Sequence, residues 1–140
     1  MEKVLVSACL LGVNCKYNGS NNLCDVKSKL VGYEIIQFCP EVSGGLSIPR
    51  VSCEILNNKV INKNNEDKTF EFNKGANLAL ELCKKHNIKL AVLKEKSPSC
   101  GVTKIYDGTF SGNLIDGSGV TTSLLKENGI EVINEIDIFK

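Results

Sequence analysis

No stretch of this chain approaches the roughly 18 consecutive apolar residues that a membrane-spanning helix requires. Charge of one sign is equally scarce as a block. Lys and Arg number 17 against 16 Asp and Glu, a formal net charge of +1, with no long run of either. A basic stripe for long nucleic acid or for an anionic membrane surface is therefore missing, and neither partner is expected. No GxGxxG and no Walker pattern occurs, so a nucleotide cofactor is not expected. Histidine occurs once, at His86. The opening MEKVLVSACLLG contains VSAC, similar to a lipidation box, yet the apolar run before Cys9 is only Val4 to Val6. A signal h-region needs roughly 7–15 such residues, so a soluble, cytoplasmic protein is expected.

What the chain has in quantity is cysteine. Seven in 140 residues is an odd and dense count. In a reducing compartment such thiols read as buried hydrophobes, metal ligands or catalytic groups rather than disulfides. The length suits one domain over residues 1–140, able to bury a core without a disulfide or metal staple.

The pattern of elements predicts an α/β fold. Lys3–Ala8 reads as a short buried strand, Asp25–Val31 as a short helix stopped by Gly32, and Tyr33–Phe38 as a second strand. EVSGGLSIPR, from Glu41 to Arg50, reads as an ordered loop, and Cys53–Asn62 as a hairpin turning at Asn57-Asn58. Ala76, Leu80 and Cys83 share one face of a helix expected from about Asn73 to His86, closed by Asn87 in a left-handed cap. Lys89–Leu93 is a third strand. Asp107-Gly108 predicts a tight hairpin between Thr103–Tyr106 and Thr109–Phe110. A helix over Val120–Asn128 and a strand at Glu131–Ile133 complete the chain. Strands alternating with helices indicate a Rossmann-like, three-layer domain with a mainly parallel sheet.

In such sheets ligands bind beyond the carboxyl ends of the strands. Cys9, Cys39 and Cys100 all fall there, as do Glu41, Lys94, Ser97 and Ser99. A soft sulfur set suits zinc or an iron–sulfur cluster. Zinc would seek a fourth ligand, and His86, at the far end of a helix, is badly placed to supply it. Cys15 competes for a ligand role through its C-x5-C spacing from Cys9, while Cys24, Cys53 and Cys83 are assigned to packing. Glu41, two residues after Cys39, could act as general base toward water. Ser97, Pro98 and Ser99 lead into Cys100-Gly101, where hydroxyls and N–H groups could hold a heterocycle or a bound sulfur. Arg50 could clamp an anion or pair with an acid. Gly117-Ser118-Gly119 before a helix resembles an anion-binding helix start.

Taken together, SACLLG…CKYNG, CPEVSGGLSIPR, LKEKSPSCG and DGTFSG…GVTTSLL resemble the bacterial thiouracil desulfidase family over nearly the whole chain. The resemblance implies an oxygen-sensitive [4Fe-4S] cluster held by three cysteines, which fall on Cys9, Cys39 and Cys100. It also implies a non-redox desulfuration of small thiolated nucleobases, with catalytic carboxylate and serine roles mapping to Glu41 and to Ser97 or Ser99. Lys94 could supply a proton or stabilise charge. One departure is CKYNG, where the family pattern is C-R-Y-D-G, which limits Lys16 and Asn18 to loop structure or substrate preference. A cluster-dependent sulfurtransferase and a non-enzymatic iron–sulfur module are the alternatives. The first usually needs ATP and an RNA-binding domain, which this chain does not advertise. The second usually encloses its cluster with four cysteines.

Overall fold

Residues 4–6, 35–36 and 90–93 are runs of apolar, largely β-branched side chains, as expected of strands covered on both faces. A computed structural model describing residues 1–140 places them side by side. The central sheet has the order β2-β1-β5-β8, formed by Tyr33–Phe38, Glu2–Ser7, Leu90–Leu93 and Glu131–Asn134, and every pairing is parallel. Two antiparallel hairpins stand beside it: β3 (Cys53–Leu56) with β4 (Lys59–Asn62), and β6 (Lys104–Tyr106) with β7 (Leu114–Asp116). Three α-helices occur, α1 (Pro40–Ser43), α2 (Thr69–Lys85) and α3 (Val120–Glu127).

Side-chain alternation splits the core in two. Leu5, Ala91, Leu93 and Val132 face α2 and α3, meeting Ala79, Leu80, Cys83 and Leu125. Val4, Val6 and Val92 face the other way, onto Leu10, Val26 and Leu30. That second layer consists of 3-10 turns rather than α-helices, at Ala8–Leu11, Val26–Lys29 and Asp137–Phe139. The segment around Asp25–Val31 is too short to propagate an α-helix and takes the tighter winding. No helix is long and apolar enough to cross a membrane.

Several boundaries depart from the sequence reading for identifiable reasons. Helix α2 starts one turn early, at Thr69, because Asp67 Oδ1 accepts the Thr69 N–H at 2.8 Å and Phe72 is buried against Leu46 and Val60. Its end is as expected: Asn87 has φ +55°, and His86 caps the helix with its Nδ1 3.1 Å from Lys3 Nζ. The Asn57-Asn58 turn also forms, with both residues at positive φ. Part of the 41–50 loop is helical, since Pro40 starts α1 at its first position. The Asp107-Gly108 hairpin does not form as expected. Tyr106 pairs with Leu114, and the longer loop folds back because Glu54 Oε1 accepts the N–H groups of Gly108 (3.0 Å) and Phe110 (3.1 Å).

Candidate functional site

Strand order reverses at β1, with β2 on one side and β5 on the other, which opens a crevice at their carboxyl ends. A cavity of about 370 Å³ lies there. Cys9 reaches it from the turn after β1, Cys39 and Glu41 from the start of α1 after β2, and Lys94, Ser97 and Cys100 from the loop after β5. Cys15 and Arg50 complete one side of the wall.

Tight backbone packing holds the Cys39–Glu41 segment. A Cβ on Gly75 of α2 would lie 1.9 Å from the carbonyl oxygen of Pro40, so only glycine lets α1 sit this close. Glu41 is then gripped at both oxygens. Arg50 Nη2 donates to Oε1 at 3.3 Å, and the Ser97 hydroxyl donates to Oε2 at 3.1 Å. Arg50, with its side chain 8% exposed, also donates from Nη2 to the carbonyl of Cys15 (3.0 Å) and from Nη1 to that of Ser47 (3.1 Å). Of the two roles open to Arg50, the pairing with an acid is the one realised.

Ser97 and Ser99 occupy different environments. Ser97 Oγ donates to Glu41 while accepting the N–H groups of Ser99 and Cys100, both at 3.1 Å. Ser99 does not line the cavity: it is fully buried, and its hydroxyl pairs with Thr121 Oγ1 at 2.7 Å. The sequence offered two serines, and the structure brings only Ser97 to the site. Lys94 lines the cavity, but its Nζ is engaged by Glu135 Oε2 at 3.1 Å and by the carbonyl of Glu95 at 2.9 Å.

The GSG segment before α3 spends its backbone donors within the chain. N–H groups of Gly119, Val120 and Thr121 donate to the carbonyls of Gly101, Pro98 and Ser99 at 2.8–2.9 Å. The Ser97–Gly101 loop thus caps α3 with its own carbonyl oxygens.

The thiols influence one another strongly. The Cys15 thiol is within hydrogen-bonding reach of Cys39 and Cys9, and that proximity together with burial pushes its pKa up. Its hydrogen bond is the main force lowering Cys39, to about 7, against burial and with help from the Val42 N–H. The same donor lowers Cys9. Burial pushes the Cys100 thiol up, partly offset by a hydrogen bond with Ser7, and the charges of Glu41, Cys9 and Cys39 raise it further. Cys9, Cys39 and Cys100 therefore share one electrostatic neighbourhood despite lying up to 91 positions apart in the chain.

Could these residues hold a cluster? No group of three Cys, His, Asp or Glu side chains converges as around a single metal ion. A four-iron cluster makes a different demand, one thiolate per iron, so its ligands must line a common cavity rather than meet at a point. Five thiols line the cavity, Cys9, Cys15, Cys39, Cys53 and Cys100, with no histidine among them, a soft donor set that suits such a cluster. Cys83 is buried in the core and Cys24 packs beside the second layer, as expected. Cys53 differs from its packing assignment: it both packs near Phe72 and lines the cavity.

Sequence reasoning missed Ser7, Glu54 and Glu95, all buried and all on the cavity wall. Glu95 accepts seven hydrogen bonds from its surroundings. Burial raises its pKa, but the Thr103 hydroxyl and the N–H groups of Lys104, Thr103 and Val102 outweigh this and leave it at about 2. The only sequence signal was a carboxylate inside LKEKSPSCG, where flanking lysines make it read as a solvated charge.

A profile of the 2-thiouracil desulfurase family matches residues 4–137. The uncharacterized protein YbbK of Bacillus subtilis (strain 168) is 42% identical over 146 aligned positions, covering 96% of this chain and 97% of that protein. The solved structure of the [4Fe-4S]-dependent thiouracil desulfidase TudS superposes with a TM-score of 0.92 at 43% identity. It covers 98% of this chain and 93% of its own.

Proposed function

This chain belongs to the 2-thiouracil desulfurase family, and from that premise we propose that it is a [4Fe-4S]-dependent desulfidase. Folded as a single domain, it hydrolyses the C–S bond of a small thiolated nucleobase, releasing the oxo base and hydrogen sulfide. The observation that carries this reading is the meeting of Cys9, Cys39 and Cys100, among five thiols lining one cavity, with the Arg50–Glu41–Ser97 array. Cys9, Cys39 and Cys100 are the proposed cluster ligands. When bound, the cluster supplies an iron without a protein ligand, a Lewis acid suited to thiocarbonyl sulfur.

Glu41 serves as general base. Its carboxylate takes a proton from water, and the water oxygen attacks the ring carbon that bears sulfur. Arg50 and Ser97 fix the direction of that carboxylate before substrate arrives, so little reorganisation remains at the moment of attack. Bond formation to oxygen is followed by cleavage of the C–S bond. The proton held by Glu41 leaves with the departing sulfur, and the second water proton follows it, so one water is consumed and no electrons are exchanged. Ser97, donating to Glu41 before the reaction, keeps that carboxylate aimed until it takes the water proton. Lys94, held by Glu135, contributes positive charge at the cavity wall.

Anaerobic purification, iron and sulfide analysis, and a 2-thiouracil turnover assay test this reading. About four irons per chain and uracil release without added ATP or reductant are expected. A cluster-loaded chain that leaves thiouracil untouched would overturn the activity, and a chain that takes up no iron would overturn the cofactor.

A further inference from the structure

Glu95 is 3% exposed, lies on the cavity wall, and its carboxylate forms no salt bridge: Lys94 pairs with Glu135 and reaches only the backbone carbonyl of Glu95. A buried carboxylate without a counterion survives only when donors surround it. Here Oε1 accepts the N–H of Lys96 (3.2 Å), Val102 (2.7 Å), Thr103 (3.0 Å) and Lys104 (3.1 Å). Oε2 accepts the Thr103 N–H and hydroxyl (3.1 and 2.7 Å) and Nδ2 of Asn134 on β8 (2.6 Å).

Those donors have a topology. Lys96 precedes the Cys100 loop and Val102–Lys104 follow it, so a single oxygen draws the two ends of the loop together. Three successive backbone N–H groups form an anion nest whose occupant is part of the same chain. The other oxygen moors that knot to the sheet through Asn134. With every lone-pair direction taken, Glu95 is not free to exchange protons with a substrate in the cavity.

The geometry points to Glu95 as the positioning residue of the Cys100 loop: its carboxylate holds Cys100 at the cavity wall so that the thiol is set before cluster insertion. This rests on the reading of Cys100 as a cluster ligand. Glu95 is not a catalytic residue, because it acts only through the loop it closes.

Glu95→Gln is the discriminating change. The amide is isosteric, but at the Oε1 position its NH₂ meets four N–H donors with nothing to accept from it, and at Oε2 it meets two N–H donors and only the Thr103 hydroxyl can turn to accept. Amide exchange in the cluster-free chain reads the loop directly. Val102, Thr103 and Lys104 are expected to exchange at least about tenfold faster in Glu95→Gln, while Val4–Val6 of β1 stay as protected as in the parent. Anaerobic reconstitution of the same variant is expected to give less than about half the parent's iron per chain. Adding Asn134→Asp, which offers the new amide an acceptor, is expected to restore part of both.

Unchanged exchange at Val102–Lys104 overturns the assignment, as does a loss of protection spread equally over β1, which would make Glu95 a general stabiliser. A parent chain that binds no iron overturns the cluster reading instead, and the exchange comparison still decides whether Glu95 holds the loop.

Discussion

Ser97 Oγ lies 3.1 Å from Glu41 Oε2, although 56 positions separate the two residues. Through this contact the loop after β5 and the helix start after β2 share one hydrogen bond, and the same hydroxyl accepts the Cys100 N–H. A proposed base and a proposed cluster ligand are thereby locked to one another through a single oxygen atom.

Glu41→Gln keeps the shape of that contact but removes the base. Turnover of thiouracil is expected to fall by about 10²–10⁴-fold with iron content unchanged. Near-parent turnover at full iron content would remove Glu41 from the reaction.

Arg50→Met leaves the Glu41 carboxylate without its cation and two carbonyls without their donor. Removing one partner of a buried pair costs about 3–5 kcal/mol, so the thermal midpoint should drop markedly and turnover should fall with it. Arg50→Lys restores charge but not the forked geometry, and is expected to recover stability more than rate. Parent-like behaviour of Arg50→Met in both measurements counts against the pairing.

Alanine at Cys9, Cys39 or Cys100 is expected to abolish the visible absorption of the reconstituted protein. Cys15→Ser should retain it, because Cys15 lies outside the proposed ligand set of Cys9, Cys39 and Cys100. A Cys15→Ser protein lacking iron would move Cys15 into the ligand set.

Acid stability should carry the signature of Glu95. Its carboxyl is lowered from 4.5 to about 2 on folding, so its contribution is complete above pH 4.5 and is lost as pH falls through 2. The full contribution is on the order of 3 kcal/mol. Urea midpoints of the parent and Glu95→Gln should therefore differ most near neutrality and converge between pH 4.5 and 2. A constant difference across that range would show that the carboxylate charge is not involved.

Gly75→Ala places a methyl where the Pro40 carbonyl sits. Helix α1 must move away, and Cys39 and Glu41 move with it. Lower thermal stability together with lower iron content is expected. A stable, fully loaded Gly75→Ala protein would show that α1 has slack the packing does not suggest.

Local rules carried the sequence reading far. Tyr33–Phe38 is a strand with the expected ends, Asn57-Asn58 turns a hairpin, and Asn87 closes α2, because each depends on a few adjacent residues and on fixed steric preferences. Asp107-Gly108 misled for the complementary reason. Its backbone N–H partner, Glu54, lies 54 positions away. The start of α2 was misplaced because Phe72 is buried against distant residues, Leu46 and Val60, which periodicity within the helix does not display.

The residue types and order of this chain were enough to determine an α/β sheet, the placing of Cys9, Cys39, Cys100, Glu41 and Ser97 at strand ends, and the family. Strand periodicity and chain order are local properties, and the motif residues are read letter by letter. Tertiary structure alone separated Ser97 from Ser99, since only packing decides which hydroxyl faces a cavity and which meets Thr121. It alone joined Arg50 to Glu41 and Cys15 to its two neighbours. It also made Glu95 visible: a carboxylate between two lysines looks solvated in one dimension, and becomes the anchor of a loop only when Val102, Thr103, Lys104 and Asn134 are folded around it.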